Sequence, residues 1–142
     1  VFFRVHALRE IDARGRIGAM TTRLGLAGLV AAVAGCALVA LAAVPVTNEG
    51  DVLVDQNGMT LYTFDRDPEL ESVCNAQCAA NWPPLVAAKG ARRAGDYAII
   101  ARDDGRRQWT YKGKPLYRSA KDQRPGDRSG DGDDNLWRIA RP

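Results

Sequence analysis

The chain is nearly without histidine. Its single copy, His6, stands before a long apolar run, so everything after that run has none. That absence excludes a histidine general base, Ser-His-Asp and Cys-His nucleophilic catalysis, histidine-ligated haem and the common histidine-containing zinc sites. Cysteine is almost as scarce. Cys36 lies inside the apolar run, which leaves Cys74 and Cys78, an even pair. Their Cys-x3-Cys spacing is not the Cys-x2-Cys of a thioredoxin-type motif. In an oxidising compartment the pair reads as a disulfide, which leaves no thiolate nucleophile. Met59 is the only thioether beyond the run. No cofactor and no metal ligand set is expected from this inventory.

An excess of either charge is also missing. Five of the 20 basic residues (Arg4, Arg9, Arg14, Arg16, Arg23) precede position 43, with two of the 17 acids (Glu10, Asp12), leaving 15 of each sign afterwards. Such a balance has no electrostatic footprint for nucleic acid. The one local basic group, Arg102 with Arg106 and Arg107, reads as a solvated turn.

What the chain does have is a 23-residue stretch, Leu24 to Val46, without a single charge. Met20-Thr21-Thr22-Arg23 before it supplies a short positive n-region, so residues 20–46 read as a signal peptide or membrane anchor. Residues 1–19 then read as a disordered upstream extension. Three fates of the run stay open. Ala40-Leu41-Ala42 is an A-x-A site, cut after Ala42. Val33-Ala34-Gly35-Cys36 has the form of a lipobox, with Cys36 lipidated. Uncut, the run is long enough to span a bilayer, since about 20 residues suffice. All three place residues 47–142 outside the cytoplasm, in the periplasm or at the cell surface, secreted or membrane-anchored.

Those residues carry an internal duplication. Gly58, Leu61, Tyr62, Asp67 and Trp82 recur as Gly113, Leu116, Tyr117, Asp122 and Trp137, each 55 positions on. The repeats cover about 51–88 and 106–142, and two such copies suggest packing about a pseudo-twofold axis. Thr47-Asn48-Glu49-Gly50 reads as a linker. Asp51 to Asp55 is a strand, Gln56-Asn57-Gly58 a turn, and Met59 to Asp65 the return strand, since Asn-Gly between β-prone runs is a strong hairpin signal. Ser72 reads as the N-cap of a two-turn helix over Cys74–Asn81, which Pro83-Pro84 ends. Leu85 to Lys89 is a short extended segment. Tyr97–Arg102, Arg107–Tyr111 and Leu116–Arg118 form a three-stranded meander, and Leu136 to Ala140 closes the domain. The expected fold is mainly β: a small antiparallel domain of two tandem repeats with one short disulfide-linked helix, preceded by the apolar signal or anchor helix. The expected core is Val52, Val54, Leu61, Trp82, Leu85, Ile99, Trp109, Leu116, Trp137 and Ile139.

Three groups of residues invite a chemical reading. Asp67 and Asp122, with Asp65, would make an acid pair as in a glycosidase if the repeats face each other. Against this, Asp67 and Asp122 follow their strands at equal distance, where each would cap a turn by accepting backbone N–H groups. Gly126 to Asn135, rich in Asp, has oxygen ligands that suit Ca²⁺, but its spacing departs from an EF-hand and it reads as a solvated loop. Tyr62, Phe64, Trp82, Tyr117 and Trp137 would form a stacking surface for an aromatic or carbohydrate ligand where exposed, and core where not.

Leu61-Tyr62-Thr63-Phe64-Asp65-Arg66-Asp67 fits Y-x-(F/W/Y)-x-x-D, and Cys74 to Leu85 fits C-x3-C-A-x-x-W-P-P. Over about residues 50–141 the chain resembles the bacterial secreted-repeat predicted lipoproteins that carry this motif. The second copy keeps Gly113, Pro115-Leu116-Tyr117, Asp122, Pro125-Gly126-Asp127 and Trp137, with Ser119 where the motif has an aromatic. The resemblance implies export and often a lipid anchor, and it implies no particular reaction. The expected function is therefore an exported binding or structural module of the cell envelope without catalysis of its own. Its partner would be an envelope protein or a small aromatic or carbohydrate ligand, with membrane contact through the N-terminal segment. The alternatives are a carboxylate-dependent hydrolase using Asp67 and Asp122, or an accessory of extracytoplasmic electron transfer.

Overall fold

A computed structural model describes residues 43–142. The expectations for residues 1–19, the apolar run to Ala42, and Cys36 lie outside the described residues. Among those that are described, no helix is long and apolar enough to cross a membrane.

The first strand falls where a linker was expected. β1 (Val46–Glu49) pairs antiparallel with β2 (Val52–Asp55), from Val46↔Asp55 to Glu49↔Val52. Gly50, at φ 66, turns the chain between them, a conformation glycine takes without steric cost. Thr47, Asn48 and Glu49 are exposed while all of β2 is buried. An edge strand can be polar throughout, which is why composition alone hid it.

The Asn57-Gly58 turn forms as expected. Asp55 closes it, its Oδ1 accepting the N–H groups of Asn57 (2.8 Å) and Met59 (3.0 Å). The expected return strand does not run beside β2, however. It meets β2 at the bridge Val54↔Thr60, through Asp55 N–H to the Met59 carbonyl and Leu61 N–H to the Leu53 carbonyl, and then leaves it. The chain then becomes β3 (Tyr62–Phe64), which pairs with β7 (Trp137–Ile139) at the far end of the sequence. The cause is a wedge from the other repeat. Leu53 N–H donates to Ala140, Ala140 N–H to Leu61, and Leu61 N–H to Leu53, a three-way ring of hydrogen bonds at 2.8–2.9 Å that holds β2 and β3 apart.

The second repeat builds the same ring. Trp109 donates to Leu85, Leu85 to Leu116 and Leu116 to Trp109, at 2.9–3.0 Å. Here the wedge is Leu85 of the first repeat, 55 positions before Ala140. The surrounding sheet is the expected meander, β4 (Tyr97–Ala101), β5 (Arg107–Tyr111) and β6 (Lys114–Pro115), the last shorter and earlier than anticipated. Leu85–Lys89 forms no named strand. It is extended, held by the bridge Val86↔Gln108 and by the Leu85 and Ala87 N–H groups, which donate to the Leu116 and Arg107 carbonyls.

Each repeat therefore inserts its closing segment into the hairpin of the other. The centre of this exchange is the bridge Tyr62↔Tyr117, in which the two motif tyrosines trade both backbone bonds (2.8 and 2.9 Å). Residues 55 apart pair with each other only across a pseudo-twofold axis, so the axis runs through this bridge.

Nine of the ten expected core residues are buried. Ile99 is only half-buried, since β4 is the edge of its sheet and its neighbour Ile100 turns inward instead. The helix is shorter than expected. α1 covers Gln77–Asn81, because Ala76 sits at φ 47 and breaks any helix reaching back to Cys74. Ser72 is not its cap; no side chain caps it. The Cys74–Cys78 disulfide, with Cα atoms 5.2 Å apart, ties the preceding turn to the helix. A five-residue helix does not persist alone in water, so this bond and the packing of Cys74 against the core hold it.

Candidate functional site

The repeat motif gathers around the axis, and its side chains cross between repeats. The Tyr62 hydroxyl donates to Asp122 Oδ2 at 2.7 Å, and the Tyr117 hydroxyl donates to Asp67 Oδ2 at 2.6 Å. Each tyrosine of one repeat thus serves the aspartate of the other. The second oxygen of each carboxylate accepts a backbone N–H, Val73 for Asp67 and Ser129 for Asp122, both at 2.9 Å. Both tyrosines are fully buried, and Asp67 and Asp122 are buried. Burial, reinforced by the aspartates, pushes both phenols well above the ordinary tyrosine range, so they stay neutral and donate. Burial also raises Asp67, against the pull of Tyr117, the Val73 N–H and Arg102.

The motif glycines cross in the same way. Leu70 N–H donates to the Gly113 carbonyl, and Gly126 N–H to the Gly58 carbonyl. Gly113 and Gly58 have φ near 79 and 75, and a Cβ on Gly113 would lie 2.7 Å from Glu69.

The aromatic residues form one cluster. Trp82 and Trp137 stack face to face across the axis, centroids 3.7 Å apart and planes 5° from parallel. Phe64 stacks on Trp137 at 4.4 Å and 21°. Tyr62 meets Trp82 edge-on at 5.4 Å, and Tyr117 meets Trp137 edge-on at 5.1 Å. The five aromatic residues considered for binding are thus brought together, but with their faces turned on one another; all five are buried. Gly130 closes the edge of the cluster, since a Cβ there would stand 2.5 Å from Trp82 Cη2.

One half of this arrangement continues into a polar chain. Arg102 Nη1 donates to Ser72 Oγ (2.6 Å), Ser72 lies 2.7 Å from the Tyr117 hydroxyl, and Tyr117 donates to Asp67. Because Tyr117 spends its only proton on Asp67, Ser72 is the donor to Tyr117. All donors point one way, from a guanidinium to a carboxylate. Arg102 also bonds the Cys74 carbonyl (2.6 Å), Gln108 Oε1 (2.6 Å) and Asp104 (3.2 Å). Its side chain has no exposure, so the solvated turn expected at Arg102 is a buried structural cation; Arg106, by contrast, is exposed and pairs with Asp104. One signal for this was available. Arg102 is in phase with Ala98 and Ile100, so it continues the face of β4 that turns inward at Ile100.

Three of the four carboxylates of the Gly/Asp loop are engaged locally. Asp127 accepts the N–H groups of Gln123 and Arg124, Asp131 accepts that of Ile139, and Asp133 pairs with Lys121. Among the described residues no group of three or more metal-competent side chains converges.

Two recesses flank the aromatic cluster and the apolar packing of Leu85 against Trp109. A cavity of about 320 Å³ is lined by Asn81, Trp82, Ser119, Ala120, Lys121, Asp133 and Asp134. A more apolar one of about 500 Å³ lies against Val44, Val46, Leu85, Val86 and Trp109, with Arg118 at its wall. Arg118 itself pairs with buried Asp55 at 2.6 Å, which fixes the residue after Tyr117 to the first hairpin.

No curated protein and no solved structure matches the chain. A family model does, twice, at residues 44–86 and 98–141, one match for each repeat. The chain belongs to that family, Lipoprotein_15, described as a secreted repeat of unknown function.

Proposed function

We propose that residues 43–142 form an exported, non-catalytic module of the cell envelope, which binds an envelope protein or a small ring-bearing ligand and is attached to the membrane through the preceding segment. One observation carries the reading. The residues that recur in both repeats are spent on each other: each motif aspartate gives one oxygen to a tyrosine of the other repeat and the other to a backbone N–H. A general acid or base must hold an oxygen within hydrogen-bond reach of a substrate proton, and these carboxylates are buried inside the join. The motif therefore builds a scaffold, and recognition falls to the surface around it. Family membership supports an extracytoplasmic location.

The test uses the full chain expressed in a bacterial host. The reading expects protease in the external medium or periplasm to reach the domain, and crosslinking to recover an envelope component. It also expects no hydrolysis of a panel of aryl glycosides. Cytoplasmic retention, or glycoside turnover lost in Asp67→Asn while the fold is retained, would overturn it.

A further inference from the structure

The charges of the domain balance in number but not in place. From residue 43 on, the chain has 15 cations and 15 acids. Two apolar recesses nevertheless have cations and no carboxylate among their walls. The first is the cavity of about 500 Å³ with Arg118 at its wall. The second, of about 560 Å³, is more open and is lined by Leu70, Ile99, Arg92, Arg93 and Arg107 among others. Ala91 is a wall of both, so the two adjoin. Arg107 joins them further, donating to the Ala88 and Ala91 carbonyls at 3.1 and 2.9 Å. Asp55 matches the charge of Arg118. Among the described residues, exposed Lys89, Arg92, Arg93 and Arg107 form no ion pair.

Apolar side chains stand out on the same face. Three large hydrophobic residues are exposed among the described residues, and two of them, Leu70 and Val86, line these recesses. Leu70 is held there by the backbone. Its φ is 57, a region that a side chain disfavours, and its N–H is fixed by the Gly113 carbonyl at 2.8 Å. Strain of this kind persists only where the surrounding fold imposes it, and it gathers at functional sites. The position of the face along the chain points to its partner. Ala43, Val44, Pro45 and Val46 line the first recess, and they are the last residues of the uncharged run that begins at Leu24. The basic, apolar face thus lies beside the point at which that run enters the domain.

We propose that this face docks on a bilayer of anionic phospholipid, with Leu70 and Val86 dipping among the headgroups and Lys89, Arg92, Arg93 and Arg107 meeting the phosphates. The inference rests on the module reading, which supplies the membrane, and adds to it a second contact and a fixed orientation. Cations around a few exposed apolar side chains suit a membrane interface, where each kind of group finds its own layer. Each Lys or Arg close to an anionic surface strengthens partitioning about fivefold. Four of them suffice once the run has brought the domain to the surface, because the second contact is then intramolecular. The acidic Gly126–Asn135 loop packs on the other core cluster, against Tyr62 and Trp82, and is repelled by the same surface.

The full chain, placed in lipid nanodiscs through its apolar run, is followed by amide NMR with a gadolinium-chelate lipid as the relaxation probe. In discs rich in phosphatidylglycerol, the amides of Leu70 and of residues 86–93 are expected to broaden at least about threefold more than those of the acidic loop. Discs of phosphatidylcholine alone, or high salt, are expected to remove the difference. Arg92→Glu with Arg93→Glu is expected to abolish it. Leu70→Ser with Val86→Ser keeps every charge and is expected to reduce it. Arg124→Glu with Arg128→Glu, the same change of charge on the other side of the sequence motif, is expected to keep it. Equal broadening of the two regions, a difference that persists in phosphatidylcholine, or one unchanged in either folded variant of the face overturns the inference. A chain that stays in the discs while its domain tumbles free of them also overturns it, and leaves the module reading standing. A chain retained by discs of neither composition overturns both, since the membrane attachment itself is then lost.

Discussion

At the scale of single residues, the two crossed tyrosines are alike in role and unequal in weight. Tyr117 sits inside a chain that runs from Arg102 through Ser72 to Asp67, while the Tyr62 hydroxyl has Asp122 and only a 3.4 Å contact from the Gly130 N–H. Tyr117→Phe strands a buried carboxylate oxygen and a buried serine, and should cost about 2–3 kcal/mol of unfolding free energy in urea titration. Tyr62→Phe should cost about 1–2 kcal/mol, because no buried side chain other than Asp122 depends on its hydroxyl. Equal losses would contradict the asymmetric chain. Asp67 adds a pH signature. Burial raises its folded-state value, so the folded chain holds this proton more tightly than the unfolded chain does. The resulting contribution is fully present below the unfolded value of about 4 and is lost as pH rises through the folded one. The stability of the wild type minus that of Asp67→Asn should therefore fall as pH goes from about 3 to 7. A flat difference would show that Asp67 is not desolvated. The subtraction matters because Asp104, held down chiefly by Arg106, and Asp127, held down by backbone N–H groups, change stability in the opposite direction, losing their contributions as pH falls.

At the scale of elements, the disulfide turn is the weakest part and the most testable. Its bridge spans only four residues, so its entropic gain is small, about 2 kcal/mol. Reduction should lower Tm through α1 and through the Arg102 bond to the Cys74 carbonyl. An unchanged Tm under reductant would show that packing alone holds the turn. The elements also show how far residue patterns reach. β2, β4, β5 and β7 were legible because each joins β-branched or aromatic residues to a glycine or asparagine turn. β1 was not, since an edge strand exposed on most of its residues needs no apolar content. The helix start was misplaced because nothing in the residue type of Ala76 announces φ 47. Ser72 looked like a cap because its true partners, Tyr117 and Arg102, lie 45 and 30 residues away. Near the site, the aromatic missing at Ser119 was visible as a broken motif. The recess beside it was not, because it needs Trp82 from the other repeat as a wall.

At the scale of the whole molecule, the duplication is an exchange. Each half of the fold takes its hairpin from one repeat and its closing segment from the other, by way of the Leu53–Ala140–Leu61 and Trp109–Leu85–Leu116 rings. The duplication was readable from a constant offset of 55, and the swap was not, since a repeated Tyr and Asp look the same whether they bond within a copy or between copies. The swap gives a role to the residues that both repeats share, although the second has no cysteine and Ser119 in place of an aromatic: a motif tyrosine protects a carboxylate in the other copy. It also means that neither repeat contains its own core. The most direct measurement divides the chain in the exposed loop around Gly95 and follows fragments 43–95 and 96–142 by near-ultraviolet circular dichroism and amide NMR. The interlocked fold predicts that each fragment alone lacks fixed aromatic packing and cooperative unfolding, and that an equimolar mixture recovers both. Cooperative folding of either fragment by itself would contradict it.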